Sequence, residues 1–174
     1  MVSGVLIGRF QPFHLGHLSA VKFALSEVDS LFIVIGSAEK SHQIQNPFTA
    51  GERIRMIKDS LDESKIKGHR WLTIPVPDGK THSIWIRTIK DLVPRFEKVF
   101  TNDRLTKLLF DEQKFEVIET PYLDRSQYSG TEIRMKMIKD GEWKNFVTKS
   151  VANIIKEIKG EQRLRSIIKN QRLK

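Results

Sequence analysis

Val5-Leu6-Ile7-Gly8-Arg9-Phe10-Gln11-Pro12-Phe13-His14-Leu15-Gly16-His17 is the stretch on which the reading of this chain turns. An apolar run of strand character reaches a glycine, a proline keeps the next residues extended, and an apolar pattern of helical period begins after His17. The stretch is therefore a strand, a loop and the mouth of a helix. The loop carries two imidazoles three residues apart with Gly16 between them, and a helix mouth presents unpaired N–H groups that favour an anion. Gly16 lets a ligand approach the backbone closely, and Arg9 adds a cation. The expectation is a phosphate site. Zinc is a poor fit, because the chain has no cysteine and no helical H-E-x-x-H.

Working outward, strands and helices alternate. Val5 to Gly8 reads as a strand, Leu18 to Glu27 as an amphipathic helix, and Leu31 to Gly36 as a continuous apolar strand of the kind buried on both faces. Thr49 with Glu52 forms a capping box for a helix running to about Leu61. Trp71 to Val76 is a strand, Ser83 to Leu92 a helix, Lys98 to Thr101 a strand, Asp103 to Phe110 a helix capped by Asn102, and Glu116 to Glu119 a strand. Ser129 with Glu132 is a second capping box, opening a helix to about Lys139. The final third is helical, with breaks expected at Gly141 and Gly160.

This alternation predicts an α/β fold. The expected form is a doubly wound (Rossmann-like) parallel five-stranded sheet with helices on both faces and a helical C-terminal extension. Residues 1–174 read as a single domain, with an α/β core over 1–140 and C-terminal helices over 141–174. In such sheets ligands lie beyond the carboxyl ends of the strands, where the strand order reverses. The loops expected to matter are therefore the one after the first strand, those at 37–48 and 77–82, and the one ending at Ser129. A dinucleotide-binding oxidoreductase would need G-x-G-x-x-G after the first strand, where Gly8-Arg9-Phe10-Gln11 stands instead. Gly79-Lys80-Thr81 imitates the tail of a P-loop, but the required earlier glycine is Ile74, so the triplet reads as a turn on Asp78-Gly79.

Net charge is +9, yet residues 1–133 carry 18 Lys and Arg against 17 Asp and Glu, and residues 134–174 carry 12 against 4. The cationic excess is C-terminal. A solvated helical face or general steering of anions accounts for it better than an RNA contact, since aromatic residues do not interleave with those charges. There is no apolar run of membrane-spanning length and no charged-then-apolar leader, so a cytoplasmic protein with no membrane or nucleic-acid partner is expected.

The Gly8-to-His17 segment resembles the H-x-G-H signature of the nucleotidylyltransferase superfamily, in the G-R-F-Q-P-F-H-x-G-H form of the archaeal-type nicotinamide mononucleotide (NMN) adenylyltransferases. Tyr128-Ser129-Gly130-Thr131-Glu132-Ile133-Arg134 resembles the second signature of that superfamily, and Asn46 to Arg53 is similar to a further archaeal-type segment. The resemblance implies transfer of AMP from ATP to NMN, giving NAD and pyrophosphate. It implies His14, His17 and Arg134 as catalytic residues. It places Gly8, Arg9, Phe10, His14, Gly16, His17, Ser129, Gly130, Thr131 and Arg134 on ATP, and Ser37, Lys40, Asp78, Gly79 and Trp85 on NMN.

Mg2+ is expected to ride on the ATP phosphates without a side-chain cage, and a homo-oligomer, by resemblance a hexamer, is expected. The imidazoles, near their reference pKa of 6.5, are expected to be partly protonated beside a triphosphate. Relatives carry a basic residue where this chain has Gln45, so Lys40 or His42 is the expected substitute. Arg53 and Arg55 are left facing either the site or solvent. A sibling reading is another acceptor: phosphopantetheine or FMN, against which Trp85 and the Asn46-to-Arg53 segment argue, or nicotinate mononucleotide, where His82 and Lys80 differ from some relatives and both the amide and the acid form stay open. A basic RNA-binding module is the reading from another class.

Overall fold

The apolar runs pair into one parallel sheet in the computed structural model, which describes residues 1–121 and 128–172. The strands are β1 (Ser3–Gly8), β2 (Ser30–Ile35), β3 (Trp71–Pro75), β4 (Lys98–Phe100) and β5 (Glu116–Ile118), in spatial order β3-β2-β1-β4-β5. The helices are α1 (Leu15–Glu27), α2 (Ala50–Glu63), α3 (His82–Leu92), α4 (Arg104–Glu112), α5 (Gly130–Ile138), α6 (Lys149–Glu157) and α7 (Gly160–Arg172). This is the doubly wound, Rossmann-like α/β fold that the alternation predicts. Of the loop ending at Ser129, residues 122–127 lie outside the described residues.

The chain divides into two compact units. The first holds residues 1–8, 19–39 and 67–121, and so all five strands, most of α1, and α3 and α4. Its central strand is β1, in register with β2 from Ser3↔Ser30 to Gly8↔Ile35 and with β4 from Gly4↔Lys98 to Leu6↔Phe100. Val5 and Leu6 point to opposite faces and are both buried, as a strand covered on both sides requires. Gly4 is dictated by its neighbour, since a Cβ there would lie 2.6 Å from the Phe100 ring. One core cluster joins Val5, Val34, Val76, Ile89, Val93, Phe96, Val99 and Phe110, each such side chain contributing about 1.5–3 kcal/mol on burial. The chain runs outward through β2 and β3 and returns to β4 on the far side of β1, so the segment after Gly8 leaves the sheet where the strand order reverses.

The second unit holds residues 9–18, 40–66 and 122–174. Within it α2 packs on α6, α5 on α7, and α6 on α7. Met56, Ile57, Ile133, Met137, Ile154, Ile155 and Leu164 are buried there. Trp143 is buried too, and its indole N–H donates to Glu161 Oε1 at 2.8 Å.

Three local expectations change. Helix α1 starts at Leu15 rather than Leu18, because imidazoles cap it. The cap of α4 is Asp103, whose carboxylate accepts from Thr106 N, while Asn102 bonds to Thr120 beside β5. At the expected breaks, the residues in the left-handed region are Asp140 (φ 57°) and Lys159 (φ 53°), and Gly160 opens α7. Gly141 instead sends its N–H back to Lys136 O at 2.7 Å, the second member of a Schellman ending whose left-handed residue is Asp140.

Candidate active site

His14 and His17 form a capping box made of two rings. Helix α1 begins at Leu15, so His14 is the N-cap and His17 the third helical residue. His17 N donates to His14 Nδ1, and His14 N donates to His17 Nδ1, both at 3.3 Å. This is the reciprocal pattern that Ser and Glu ordinarily make. With each Nδ1 accepting from the backbone, each neutral ring carries its proton on Nε2, as a donor. The rings stack at 3.6 Å between centroids, and His17 also meets Phe10 edge-on at 4.8 Å and Phe13 at 5.6 Å.

Burial pulls His14 down to about 4. Burial, then the adjacent His14 ring, holds His17 well below the ordinary histidine range. The free protein therefore presents neutral donors at pH 7, and the expected partial protonation concerns the rings beside a bound triphosphate. Gly16 is required by this packing, since a Cβ would lie 3.0 Å from the His14 ring and 3.3 Å from Tyr128 Cβ. Phe10, 1% exposed, holds φ at 52°, a left-handed conformation that costs a bulky residue about 1–3 kcal/mol and that the surrounding rings enforce.

The second signature meets this loop. Ser129 caps α5, its hydroxyl accepting from Glu132 N at 3.1 Å, which is the serine half of the expected box. Arg134, 7% exposed, donates from Nη1 to Gln11 O at 2.7 Å and from Nη2 to Thr131 Oγ1 at 3.2 Å. Gly130 allows this approach, since its Cβ would lie 3.1 Å from Gln11 O and 3.2 Å from Arg134 Nη1. Among the described residues Arg134 has no carboxylate partner, and its Nε is buried without an acceptor. Burial, then repulsion from Arg9, lowers its pKa to about 10. A desolvated cation beside a second cation, with donors unspent, is arranged for an anion. The side chain of Arg9 is exposed. Gly8 ends β1, its carbonyl accepting from Gly36 N.

One positioning residue, Gln11, has no role in the sequence reading, and a second, Arg53, stands open there between site and solvent. Gln11, 3% exposed, uses its side-chain amide as a strand would use its backbone, donating to Phe48 O and accepting from Phe48 N, both at 2.9 Å. Arg53, fully buried, donates to Arg9 O at 3.0 Å and to Thr49 O at 3.2 Å. It faces the loop, whereas Arg55 faces solvent and pairs with Glu157. The signals were present: a glutamine set between Phe10 and Pro12-Phe13, and an arginine one turn into a capped helix.

Four of the residues expected at the mononucleotide lie together in the first unit. Ser37, at φ 48°, donates its hydroxyl to the Asp78 carboxylate at 2.9 Å. Asp78 N donates to Glu39 Oε2. Gly79 lies against the start of α3, where a Cβ would approach Trp85 N to 2.6 Å. Trp85 is half-buried, with its ring edge-on to Phe110 at 6.3 Å, so one part of the indole serves the core cluster. Lys40 belongs to the second unit, is half-buried and already has an interaction of its own.

Residues 5–136 match the cytidylyltransferase-like family. The nicotinamide-nucleotide adenylyltransferase of Pyrococcus furiosus is 44% identical over 171 residues, covering 98% of this chain and 91% of that protein. The enzyme of the same name from Archaeoglobus fulgidus is 47% identical over 164 residues, covering 92% and 94%. A crystal structure of a bifunctional NMN adenylyltransferase/ADP ribose pyrophosphatase from Francisella tularensis, solved with AMP and a manganese ion, superposes with a TM-score of 0.83 at 24% identity. That match covers 99% of this chain and 55% of the bifunctional one, and it establishes the fold. With both signatures joined at one loop and relatives this similar along nearly the whole chain, the protein belongs to the cytidylyltransferase-like family and, within it, to the archaeal-type nicotinamide-nucleotide adenylyltransferases.

Proposed function

We propose that this chain transfers AMP from ATP to NMN by direct in-line attack, making NAD and pyrophosphate. One ionised oxygen of the NMN phosphate forms the new bond to the α-phosphorus. The bond from that phosphorus to its bridging oxygen breaks, and pyrophosphate leaves with the electron pair. No proton has to move in this step, so the protein needs neither a general base nor a covalent intermediate. What it must supply is alignment of two polyanions and neutralisation of their charge. Orientation contributes up to about 7–11 kcal/mol, and a well-placed donor roughly 3–4 kcal/mol.

The observation that carries this reading is the buried guanidinium of Arg134, which among the described residues has no carboxylate and which meets the H-x-G-H loop at Gln11. We assign the triphosphate to the Nε2–H groups of His14 and His17, the N-terminal N–H groups of α5 at Ser129, Gly130 and Thr131, and the cations Arg134 and Arg9. Gly8, Phe10 and Gly16 shape the backbone around it. Ser37, Lys40, Asp78, Gly79 and Trp85 are assigned to the mononucleotide.

Donors of this kind do not ligate a cation, and among the described residues no cluster of three acidic or imidazole ligands occurs. A divalent ion, which we take to be Mg2+, would therefore be held by the ATP phosphates rather than by side chains of the described residues, and would supply neutralisation of phosphate charge. The assignment to a homo-oligomer follows the family resemblance, and the assignment to the cytoplasm follows the expectation from the sequence. Among the described residues no helix is long and apolar enough to cross a membrane.

Mixing the protein with ATP, Mg2+ and either NMN or nicotinate mononucleotide tests the reading. NAD and pyrophosphate should appear in equal amounts with NMN. Pyrophosphate release without a dinucleotide, or no reaction with either acceptor, overturns it. The ratio of rates with the two acceptors sets the preference.

A further inference from the structure

The basic C-terminal segment contains one arginine whose contacts lead to the phosphate loop. Arg163, in the first turn of α7, donates from Nη1 to Glu52 Oε2 at 2.7 Å and from Nη2 to Glu52 Oε1 at 2.8 Å, and Nη1 also donates to Pro47 O at 3.0 Å. Glu52 is itself one half of the capping box of α2, accepting from Thr49 N at 2.9 Å. The arginine fork thus holds the segment from both sides of Phe48. Phe48 is the residue whose N–H and carbonyl are both taken by the Gln11 side chain. Three residues earlier on α7, Gly160 packs against the same point, since a Cβ there would lie 2.9 Å from Phe48 Cε1. Residues i and i+3 of one helix therefore meet one short segment, Gly160 at the Phe48 ring and Arg163 at Pro47 and Glu52. Glu52 is held below the ordinary carboxylate range, the Arg163 fork leading the contributions that outweigh its burial, so the pair is ionised at neutral pH.

We infer that Arg163 is a positioning residue for the phosphate-binding loop: through Pro47 and Glu52 it sets Phe48, and through Phe48 it sets Gln11 and hence the His14–His17 box and the carbonyl that Arg134 holds. The inference rests on the reading of that loop as the triphosphate site. It gives the first turn of α7 a part in ATP use although none of its side chains is assigned to the nucleotide.

The test uses the full chain with MgATP and NMN. Arg163→Met should lower kcat/KM for ATP by about ten- to a hundredfold, since a displacement of about 1 Å costs this much, with most of the loss in kcat. It should also move the ring 15N shifts of His14 and His17 away from the pattern of an accepting Nδ1 and a protonated Nε2. Arg163→Lys keeps the charge but cannot fork, and should fall between. Gly160→Ala, which displaces Phe48 and leaves the ion pair in place, should move the same shifts. Arg55→Met, which removes an exposed α2–α6 ion pair, should leave kinetics and shifts at wild-type values. Should Arg163→Met not fold, Arg163→Lys and Gly160→Ala carry the test. Variants with a lower Tm but wild-type kcat, ATP KM and ring shifts overturn the inference. A wild type that neither binds nor turns over MgATP overturns the underlying reading of the site instead.

Discussion

Helices α2 and α5 of the same unit begin with the same four-residue signature, Thr49 to Glu52 in one and Ser129 to Glu132 in the other, and they end up with opposite electrostatics. At α2 the box is complete. Glu52 turns back onto Thr49 N, and Arg163 closes over its carboxylate. The positive end of that helix is neutralised from within. At α5 only the serine hydroxyl caps, Glu132 is exposed, and the buried arginine one turn in has no carboxylate among the described residues. An N-terminus that the protein has filled is structure, and one that it has left cationic is a place for an anion.

The largest expected effect breaks the comparison at its functional side. Arg134→Ala or His17→Ala should lower kcat/KM for ATP by about 10²–10³ in steady-state assays, the loss expected for one donor to developing charge. Near-normal turnover in either variant would remove that residue from the mechanism.

Acid stability is the next measure. His14 takes up its proton near 6.5 when unfolded and only near 4 when folded, so the unfolded chain binds more protons between these values and stability falls as pH drops through that window. Denaturant titrations on the free protein should register a loss on the order of 3 kcal/mol from this group between pH 6.5 and 4. His14→Ala should flatten that limb. Glu52, lowered instead, keeps its contribution above the ordinary carboxylate range and loses it at lower pH than His14 begins to. The open site should therefore weaken before the closed cap does.

Glu52→Gln should cost about 2 kcal/mol, because it leaves the half-buried Arg163 fork without its counter-charge. Glu132→Gln, on an exposed side chain, should fall within roughly 0.5 kcal/mol of wild type. Equal costs in matched denaturation curves would erase the distinction between the two helix starts.

The smallest effect concerns their other ends. Both helices finish in Schellman motifs with a left-handed residue that is not glycine, Lys65 at φ 56° and Asp140 at φ 57°. Lys65→Gly should stabilise by about 1 kcal/mol, relieving that conformation on an exposed side chain. Asp140→Gly should gain less, because it also removes the carboxylate paired with Arg165. A higher Tm for the second variant than for the first would count against this account.

Much of the molecule was legible because its signals are local. The unbroken apolar run Leu31 to Ile35, short and rich in β-branched residues, fits a strand covered on both faces, and its alternation with helical periods implied the parallel sheet. Thr49 and Ser129 were readable as caps for the same reason. Local reading failed where a residue type does an unaccustomed job. Imidazoles are not recognised as a capping box, so α1 was started one turn late, and Asp103 displaced Asn102 as the cap of α4 because Asn102 was claimed by Thr120, 18 residues away.

Residue order alone was enough to set the fold class and the two signatures, since periodicity, caps and glycine positions act over a few residues and survive any tertiary arrangement. Only the folded chain could decide that Arg134 reaches Gln11 across 123 residues, that Gln11 and Arg53 hold the loop, and that both rings present Nε2–H. Those outcomes depend on desolvation and on which donor meets which acceptor, and both are properties of packing rather than of sequence spacing.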